Sequence, residues 1–392
     1  MTYPMKKIKS FANVITGGTP STKKPEYWNG TIPWLPSGCC QNCRVNSADT
    51  FITEEGLKHS AAKLMPINTV LIALTGATTG KVGLLGIEAC ANQSVTGIMP
   101  NEQFYPEYLF YYLISIRDKI IFDSYGGAQK HISQGYVKDL NVPLPDIQVQ
   151  IQIATVLEKM TSLISKRKEQ IALLDKLAKD MFVDMFDDPS TFQNSKEAVL
   201  LGSLGTFKNG MNYRNGDKGH KIKCLGVGDF KSRYNIFDVT TLSNIELESE
   251  PSEEYILHDN DIVFVRSNGN KALVGRCVLV YPGDQRLTFS GFCIRFRVTD
   301  QRILPEYLNH MLHLPSTKNV LFESIRGCNI QNLNQKMLSS LRIYLPPIQL
   351  QEQFIHNIQN LQKKIAQLEL SLAELETTYK ATLQKAFNGE LF

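Results

Sequence analysis

The sequence predicts an α+β fold: two mixed α/β globules separated by two long α-helices that pair as an antiparallel coiled coil, in a pseudo-two-fold tandem repeat. Three observations predict it. Leu140-Asn-Val-Pro-Leu-Pro-Asp-Ile-Gln-Val-Gln-Ile-Gln-Ile153 returns as Leu341-Arg-Ile-Tyr-Leu-Pro-Pro-Ile-Gln-Leu-Gln-Glu-Gln-Phe354, with seven of 14 positions identical at an offset of 201. Behind each copy, apolar residues step by alternating threes and fours over four heptads, the seam of a coiled coil. Pro106-Glu-Tyr-Leu109 is repeated letter for letter as Pro305-Glu-Tyr-Leu308.

The first globule is expected over residues 1–144. It opens with Ile8 to Pro20, short strand or turn text ending in the breakers Gly17-Gly18 and Pro20. Tyr27-Trp-Asn-Gly30 is a turn signal, and Ile32-Pro-Trp-Leu-Pro-Ser-Gly38 is too rich in proline for a helix. Thr69 to Thr75, Val82 to Ile87 and Val95 to Met99 read as strands. Pro106 to Ile114 has helical spacing with proline suited to the first turn, and Asp139 to Leu144 is a last strand.

The first long helix, 145–188, starts at Pro145-Asp146 and stops before Pro189. About 40 residues at ~1.5 Å each make a rod of roughly 60 Å. Its pairing positions are Leu157, Met160, Ile164, Ile171 and Leu174, continuing through Ala178 and Met181 to Met185, with Arg167 the polar interruption. Their partners in register are Ile358, Leu361, Ile365, Leu368, Leu372 and Leu375.

The second globule, 195–345, follows the first in outline. Leu201 to Phe207 stands for Ile8 to Val14, and Asp261 to Arg266 for Thr69 to Leu74. Gly327 echoes Gly126, and Asn332-Leu333 echoes His131-Ile132. The loops between these markers hardly match. The second helix, 346–388, starts at Pro346-Pro347 and ends at Asn388-Gly389, a C-terminal stop.

At 392 residues with 43% hydrophobic content, the chain supports several cored domains. A net charge of +4 permits a nucleic-acid partner without demanding one. The start lacks the apolar run of a signal peptide, and no run reaches the ~18 apolar residues that span a bilayer. A cytoplasmic protein with reduced cysteines and no membrane partner is expected. Cys39, Cys40 and Cys43 contain one Cys-x-x-Cys without a second pair at suitable spacing, so no metal is expected.

Two similar units related by a two-fold suit a ligand with its own two-fold, and double-stranded DNA has paired half-sites about one turn, ~34–36 Å, apart. From geometry alone a protein adaptor fits as well. Charge placement leans towards DNA: lysine and arginine suit phosphates, and amides suit base edges. In the first globule the candidate DNA-binding residues are Thr19, Lys23, Lys24, Lys81, Gln129, Lys130 and His131. In the second they are Lys208, Asn212, Tyr213, Arg214, Lys218, His220, Lys221, Lys271, Arg326, Asn329 and Gln331.

No catalytic residue is assigned. Gly76-Ala-Thr-Thr-Gly80-Lys81-Val82 misses the phosphate-binding pattern by one spacer residue and by the Ser/Thr after the lysine. Leu345-Pro-Pro-Ile348 lacks the amide and aromatic of an adenine-methyltransferase motif. No cofactor follows from either.

Several of these residues together resemble the specificity subunit of type I restriction-modification systems. They are Ile15-Thr-Gly-Gly-Thr-Pro20 with Tyr27-Trp28, Ile32-Pro-Trp34, Gly76 to Val82, Ala91-Asn-Gln93 and the two doubled motifs. Met181 to Pro189 and Gln384 to Leu391 resemble the usual ends of the family's two conserved helices. The second globule departs from the pattern, since Phe207-Lys-Asn-Gly210 keeps one glycine of Thr-Gly-Gly-Thr-Pro. The resemblance implies a non-catalytic subunit with two target recognition domains, each reading half of an asymmetric bipartite DNA sequence. It also implies helices that set the spacer and dock two modification (methyltransferase) subunits, with two ATP-dependent motor-nuclease restriction subunits completing the complex.

Overall fold

Short strands, the central ones built on continuous apolar runs, assemble the same pair of sheets in each repeat. The computed structural model describes residues 3–126, 130–195, 198–213, 219–230, 234–323 and 332–392. Two units are formed: Met1–Lys168 with Leu370–Phe392, and Glu169–Glu369.

In the first unit a five-stranded sheet runs in the order Val14–Thr16, Val95–Ile98, Val70–Ala73, Val82–Leu85, Cys43–Val45. Its pairs are antiparallel except the last, which is parallel. The central strand Val70–Ala73 is buried on both faces, which is why it reads as an unbroken apolar run. Val70 and Ile72 pack on the helix Pro106–Ser115 through Tyr108 and Leu109. Leu71 and Ala73 face the other way, with Leu35, Cys40 and Met65.

A three-stranded sheet, Thr50–Ile52, Trp28–Leu35, Cys90–Ala91, covers that second face. Trp28–Leu35 is its central strand, where the sequence reading placed a turn and a proline-rich segment. Pro33 is tolerated because pairing with Cys90–Ala91 begins only at Trp34, so no ladder donor is needed at Pro33 on that side. The expected last strand over 139–144 divides into a short helix, Gln134–Asp139, and a strand, Asn141–Pro143, that pairs with Met5–Lys7. Ser133 starts that helix by accepting a hydrogen bond from the Tyr136 amide at 3.1 Å.

The second unit repeats both sheets. Gly205–Asn209, Cys293–Val298, Asp261–Val265, Cys277–Val280 and Asn235–Ile236 form the larger one. Asn244–Leu247, His220–Leu225 and Leu287–Phe289 form the smaller. The chain enters each globule alike: the Ile8 amide donates to the Leu140 carbonyl at 3.0 Å, and Leu201 to Leu341 at 2.8 Å.

The long helices span Ile147–Phe186 and Ile348–Asn388. Asp187 and Gly389 end them in the left-handed conformation, at φ 66° and 75°. In the first unit the start of one helix (Ile153, Ala154, Leu157) packs with the end of the other (Leu383, Ala386, Phe387). In the second unit the end of the first helix (Ala178, Phe182, Phe186) packs with the start of the second (Phe354, Ile358). Each unit therefore holds the pair antiparallel. None of the expected seam positions is exposed: Leu157 and Ile358 are buried, and Met160, Ile164, Ile171, Leu174, Leu361, Ile365, Leu368, Leu372 and Leu375 are partly buried. Leu163, Leu173, Leu177 and Leu370 lie off the seam and are exposed. Among the described residues no helix is long and apolar enough to cross a membrane.

Candidate nucleic-acid interface

Strand direction gathers the candidate loops at one end of each larger sheet. In the first unit, Val14–Thr16 and Val70–Ala73 end there, and Val82–Leu85 and Val95–Ile98 begin there. The other end of the sheet leads to Asn101 and Pro106 and thence to the long helix.

The Gly17-Gly18 turn is pressed against backbone. A Cβ on Gly17 would lie 2.1 Å from the Ala91 oxygen, and one on Gly18 2.3 Å from the Ala61 carbonyl carbon. Gly17 donates to Val95 at 3.0 Å, Gly18 donates to Ala91 at 2.8 Å, and the Trp34 indole donates to the Gly18 carbonyl at 2.9 Å. This presents Thr19, whose hydroxyl bonds the exposed Gln93. Lys23 and Lys24 follow, both exposed. Lys24 bonds the Tyr27 hydroxyl at 2.9 Å and sits 4.9 Å over its ring. That hydrogen bond raises the Lys24 pKa, so the side chain stays a cation.

The next two loops are tied to each other. Gly76 donates to the Lys130 carbonyl at 3.0 Å, the Thr79 hydroxyl donates to the same oxygen at 2.9 Å, and Ile132 donates to Leu74 at 2.9 Å. The turn needs glycine at both ends, with Gly76 at φ 75° and Gly80 at φ 72°. The amides of Gly76, Thr79, Gly80 and Lys81 all donate to carbonyls of this chain, so none of the four is left for a phosphate. Lys130 is exposed, His131 packs edge-on to the exposed Tyr125, and Lys81 reaches Gln41 at 2.7 Å. Thr19, Lys81, Lys130 and His131 thus lie on loops of one sheet end.

The second unit builds the same end with other side chains. Gly210 donates to Cys293 at 3.0 Å and Met211 to Phe289 at 3.0 Å, where Gly17 and Gly18 donate to Val95 and Ala91. A Cβ on Gly210 would lie 2.0 Å from the Ser290 oxygen. Asn212 and Tyr213 therefore occupy the places of Thr19 and Pro20, and both are exposed. Arg266 donates to Phe292 and accepts from Leu333, both at 2.8 Å, as Leu74 does with Ser94 and Ile132. Gly275, at φ 80°, donates to Val265 as Gly80 does to Ala73.

Phe292, which sequence reasoning missed, is 60% exposed at this end. Its backbone is held by Ser290 on one side and Arg266 on the other. An outward aromatic on a fixed backbone is chemically suited to contact with an apolar edge, such as a thymine methyl. The clue in the sequence was weak: Phe292 aligns with Ser94 only once the loop hydrogen bonds are known.

Three lysines of the basic stretch 208–233 have partners in the chain. Lys208 is ion-paired with Glu254 and lies 4.6 Å over the Tyr255 ring. Lys221 pairs with Glu246 at 3.3 Å, and Lys223 donates to the Thr240 and Leu242 carbonyls at 2.6 and 2.7 Å. His220 opens the strand His220–Leu225 and is partly buried. Gln129, Arg214, Lys218, Arg326, Asn329 and Gln331 lie outside the described residues; of Lys271 only the backbone, which opens a 3-10 turn, is described.

Among the described residues no group of three or more His, Cys, Asp or Glu is placed to hold a metal ion. Burial pushes the Cys90 thiol up to about 11 and Cys224 to about 12, which keeps both protonated and unreactive.

The family model described as "Type I restriction modification DNA specificity domain" matches residues 2–173 and again 198–377. The specificity subunit of a type I restriction enzyme (MjaIX) from Methanocaldococcus jannaschii is 25% identical, with 99% of this chain and 93% of that protein covered. The fold is shared with the type I restriction-modification S subunit of M. genitalium, at a TM-score of 0.58 and 17% identity over 99% of this chain and 96% of that one. It is shared also with a chain from a structure of complex assembly and conformational transition in the type I R-M system, at a TM-score of 0.62 and 16% identity, covering 100% and 98%.

Proposed function

Since this chain belongs to the type I restriction-modification DNA specificity family, and is a non-catalytic specificity subunit with DNA recognition domains, we propose that each globule reads one half of an asymmetric bipartite target. The recognition domains are residues 1–144 and 195–345. The conserved helical regions, 145–188 and 346–388, set the length of the unread spacer. They also dock two modification subunits that methylate adenine, and two ATP-dependent restriction subunits complete the assembly. The complex works in the cytoplasm, on double-stranded DNA.

One observation carries this reading: matching hydrogen bonds build the same loop-bearing sheet end in both units, while the presented side chains differ. Thr19 and Gln93 on one framework stand where Asn212 and Gly291 stand on the other. Equal scaffolds with unequal loops are what two different half-sites require. Lys24 and Lys130 supply phosphate contacts in the first domain, with sequence carried by the amides, hydroxyls and aromatics beside them.

The test is to co-express this chain with the modification subunit and map methyladenine across the host genome, omitting this chain in the control. A new bipartite methylated motif, absent from the control, is the expected result. Methylation at the same sites without this chain would overturn the reading.

A further inference from the structure

The doubled Ile-Gln-x-Gln motif has a physical use that DNA contact does not explain. Gln150 and Gln351, the second glutamines of Ile147-Gln-Val-Gln150 and Ile348-Gln-Leu-Gln351, are buried polar side chains, 1% and 0% exposed. Each sits in the first turn of a long helix. The Gln150 oxygen accepts from the Tyr105 amide at 2.9 Å, and its amide nitrogen donates to the Pro145 carbonyl at 2.8 Å. Gln351 accepts from Leu304 at 2.8 Å and donates to Pro346 at 2.8 Å and Arg302 at 2.9 Å.

Tyr105 and Leu304 are the residues that cap the helices Pro106–Ser115 and Pro305–Leu312. A second bond at each joint comes from the same motif partners. The Tyr108 hydroxyl donates to Pro143 at 2.6 Å, and Tyr307 donates to Tyr344 at 3.3 Å. The rest of each joint is mainly apolar, with Tyr108 against Ile153 and Leu157 in one, and Tyr307 against Phe354 and Phe182 in the other. Farther along the helices Tyr111–Thr161 at 3.1 Å and Gln362–His310 at 3.3 Å add one polar contact each, at less buried positions than the glutamines. Apolar contacts hold surfaces together without fixing an angle, whereas hydrogen bonds are directional.

We propose that Gln150 and Gln351 are positioning residues that lock each recognition globule at one angle to its long helix, and so fix the spacer length the subunit accepts. The inference rests on the bipartite reading above. Neither residue touches DNA.

The experiment uses the complex with the modification subunit, carrying Gln150→Leu or Gln351→Leu. The DNA substrates are the mapped target, the same half-sites with the spacer one base pair shorter or longer, and the target with one half-site base changed. Leucine keeps the volume and removes the bonds. At least a tenfold loss of discrimination between spacers is expected, with the altered half-site still unmethylated. Leu257→Ala, in the core cluster of the second globule that holds none of the joint residues, is the stability control and should leave spacer discrimination at the wild-type ratio.

If a leucine variant fails to fold, Gln→Glu replaces it: its carboxylate keeps the acceptor and loses the donors, and the same relaxation is expected. A folded variant with the wild-type spacer ratio overturns the inference. Equal relaxation in Leu257→Ala does so too. A wild-type complex that methylates no bipartite site would instead overturn the reading on which the inference rests.

Discussion

Replacing Gly17 by alanine gives a quantitative test of the loop-bearing sheet end. The added Cβ would stand 2.1 Å from the Ala91 oxygen and 2.4 Å from the Asn92 oxygen, both backbone atoms that no rotamer change can clear. Relief requires the two strands to part by about 1 Å, since ordinary carbon–oxygen contacts begin at roughly 3 Å or more. That movement breaks the Gly17–Val95 and Gly18–Ala91 hydrogen bonds, now 3.0 and 2.8 Å long, at buried positions. A buried donor left unpaired costs about 1–3 kcal/mol, so the pair amounts to roughly 2–6 kcal/mol. For domains of 150–250 residues, ~2–4 °C of melting temperature corresponds to each kcal/mol, giving a fall of roughly 4–24 °C. Gly210→Ala, with its Cβ 2.0 Å from the Ser290 oxygen, should behave alike in the second unit. Gly38→Ala is the control: a Cβ there meets nothing within 4 Å, and the change should stay within about 0.5 kcal/mol. Differential scanning calorimetry reads the stability, and methylation of half-site variants reads the function. Gly17→Ala should lose selectivity for one half of the target and Gly210→Ala for the other. A Gly17→Ala protein that melts with the wild type and methylates the same motif would refute the reasoning.

Three further outcomes are expected. Phe292→Ala should leave the melting temperature unchanged, since the ring is 60% exposed, while relaxing one position in the half-site read by the second domain; an unchanged methylation motif would exclude the ring from recognition. His310, buried between Tyr234 and Phe354 and bonded to Gln362, has its pKa held down to about 3 by burial. Its folded pKa lies below the unfolded value of 6.5, so this contribution to stability is complete above pH 6.5 and is lost as pH falls towards 3. Urea unfolding at pH 6.5 and pH 5 should differ by on the order of 2 kcal/mol, and His310→Gln should remove most of that difference. Inserting one heptad after Leu174 lengthens the helix by about 10 Å while keeping its phase. It should change the preferred spacer or abolish methylation with both half-sites unaltered; an insertion mutant retaining the original spacing would sink the spacer role of the helices.

The helices were the most legible part of the chain, because their signals are local. Proline forbids the turn at Pro145 and Pro346, and Asp187 and Gly389 accept the left-handed stop. The 3-4 stepping of apolar residues needs no knowledge of the partner. The central strands were legible for a related reason, since burial on two faces makes a continuous apolar run. The edges of the site were not. Trp28–Leu35 hides as a strand because Pro33 removes a donor that is required only if a neighbour pairs there, and none does on that side. Phe207 to Gly210 looked like a degraded copy of Thr-Gly-Gly-Thr-Pro because only one of the two glycines answers to a contact shared by both domains. Gly17 and Gly210 each meet a backbone oxygen, whereas Gly18 is crowded by Ala61 and Ala62. At that second place Met211 packs on Ile222, Leu247 and Ile256 instead. The lysines at 208 and 221 read as free charge, because their acidic partners come later in the chain: Glu246 stands opposite Lys221 on the neighbouring strand Asn244–Leu247, and Glu254 lies in a 3-10 turn beside Lys208.

The division of the chain into its units has a consequence for how the protein is made. The second unit is one uninterrupted stretch, Glu169–Glu369, whereas the first needs Met1–Lys168 together with Leu370–Phe392. Tyr108 and Tyr112 of the first unit stack edge-on against Phe387, and the Tyr3 hydroxyl reaches the carbonyl of Phe392. During synthesis at about 5–20 residues per second, the first globule waits roughly ten to forty seconds with the apolar stripe of its helix uncovered. The domain that leaves the ribosome first is thus completed last, and a nascent chain interrupted before Leu370 lacks the cover that Leu383, Ala386 and Phe387 give its core, leaving apolar surface that a protease or holdase chaperone can recognise.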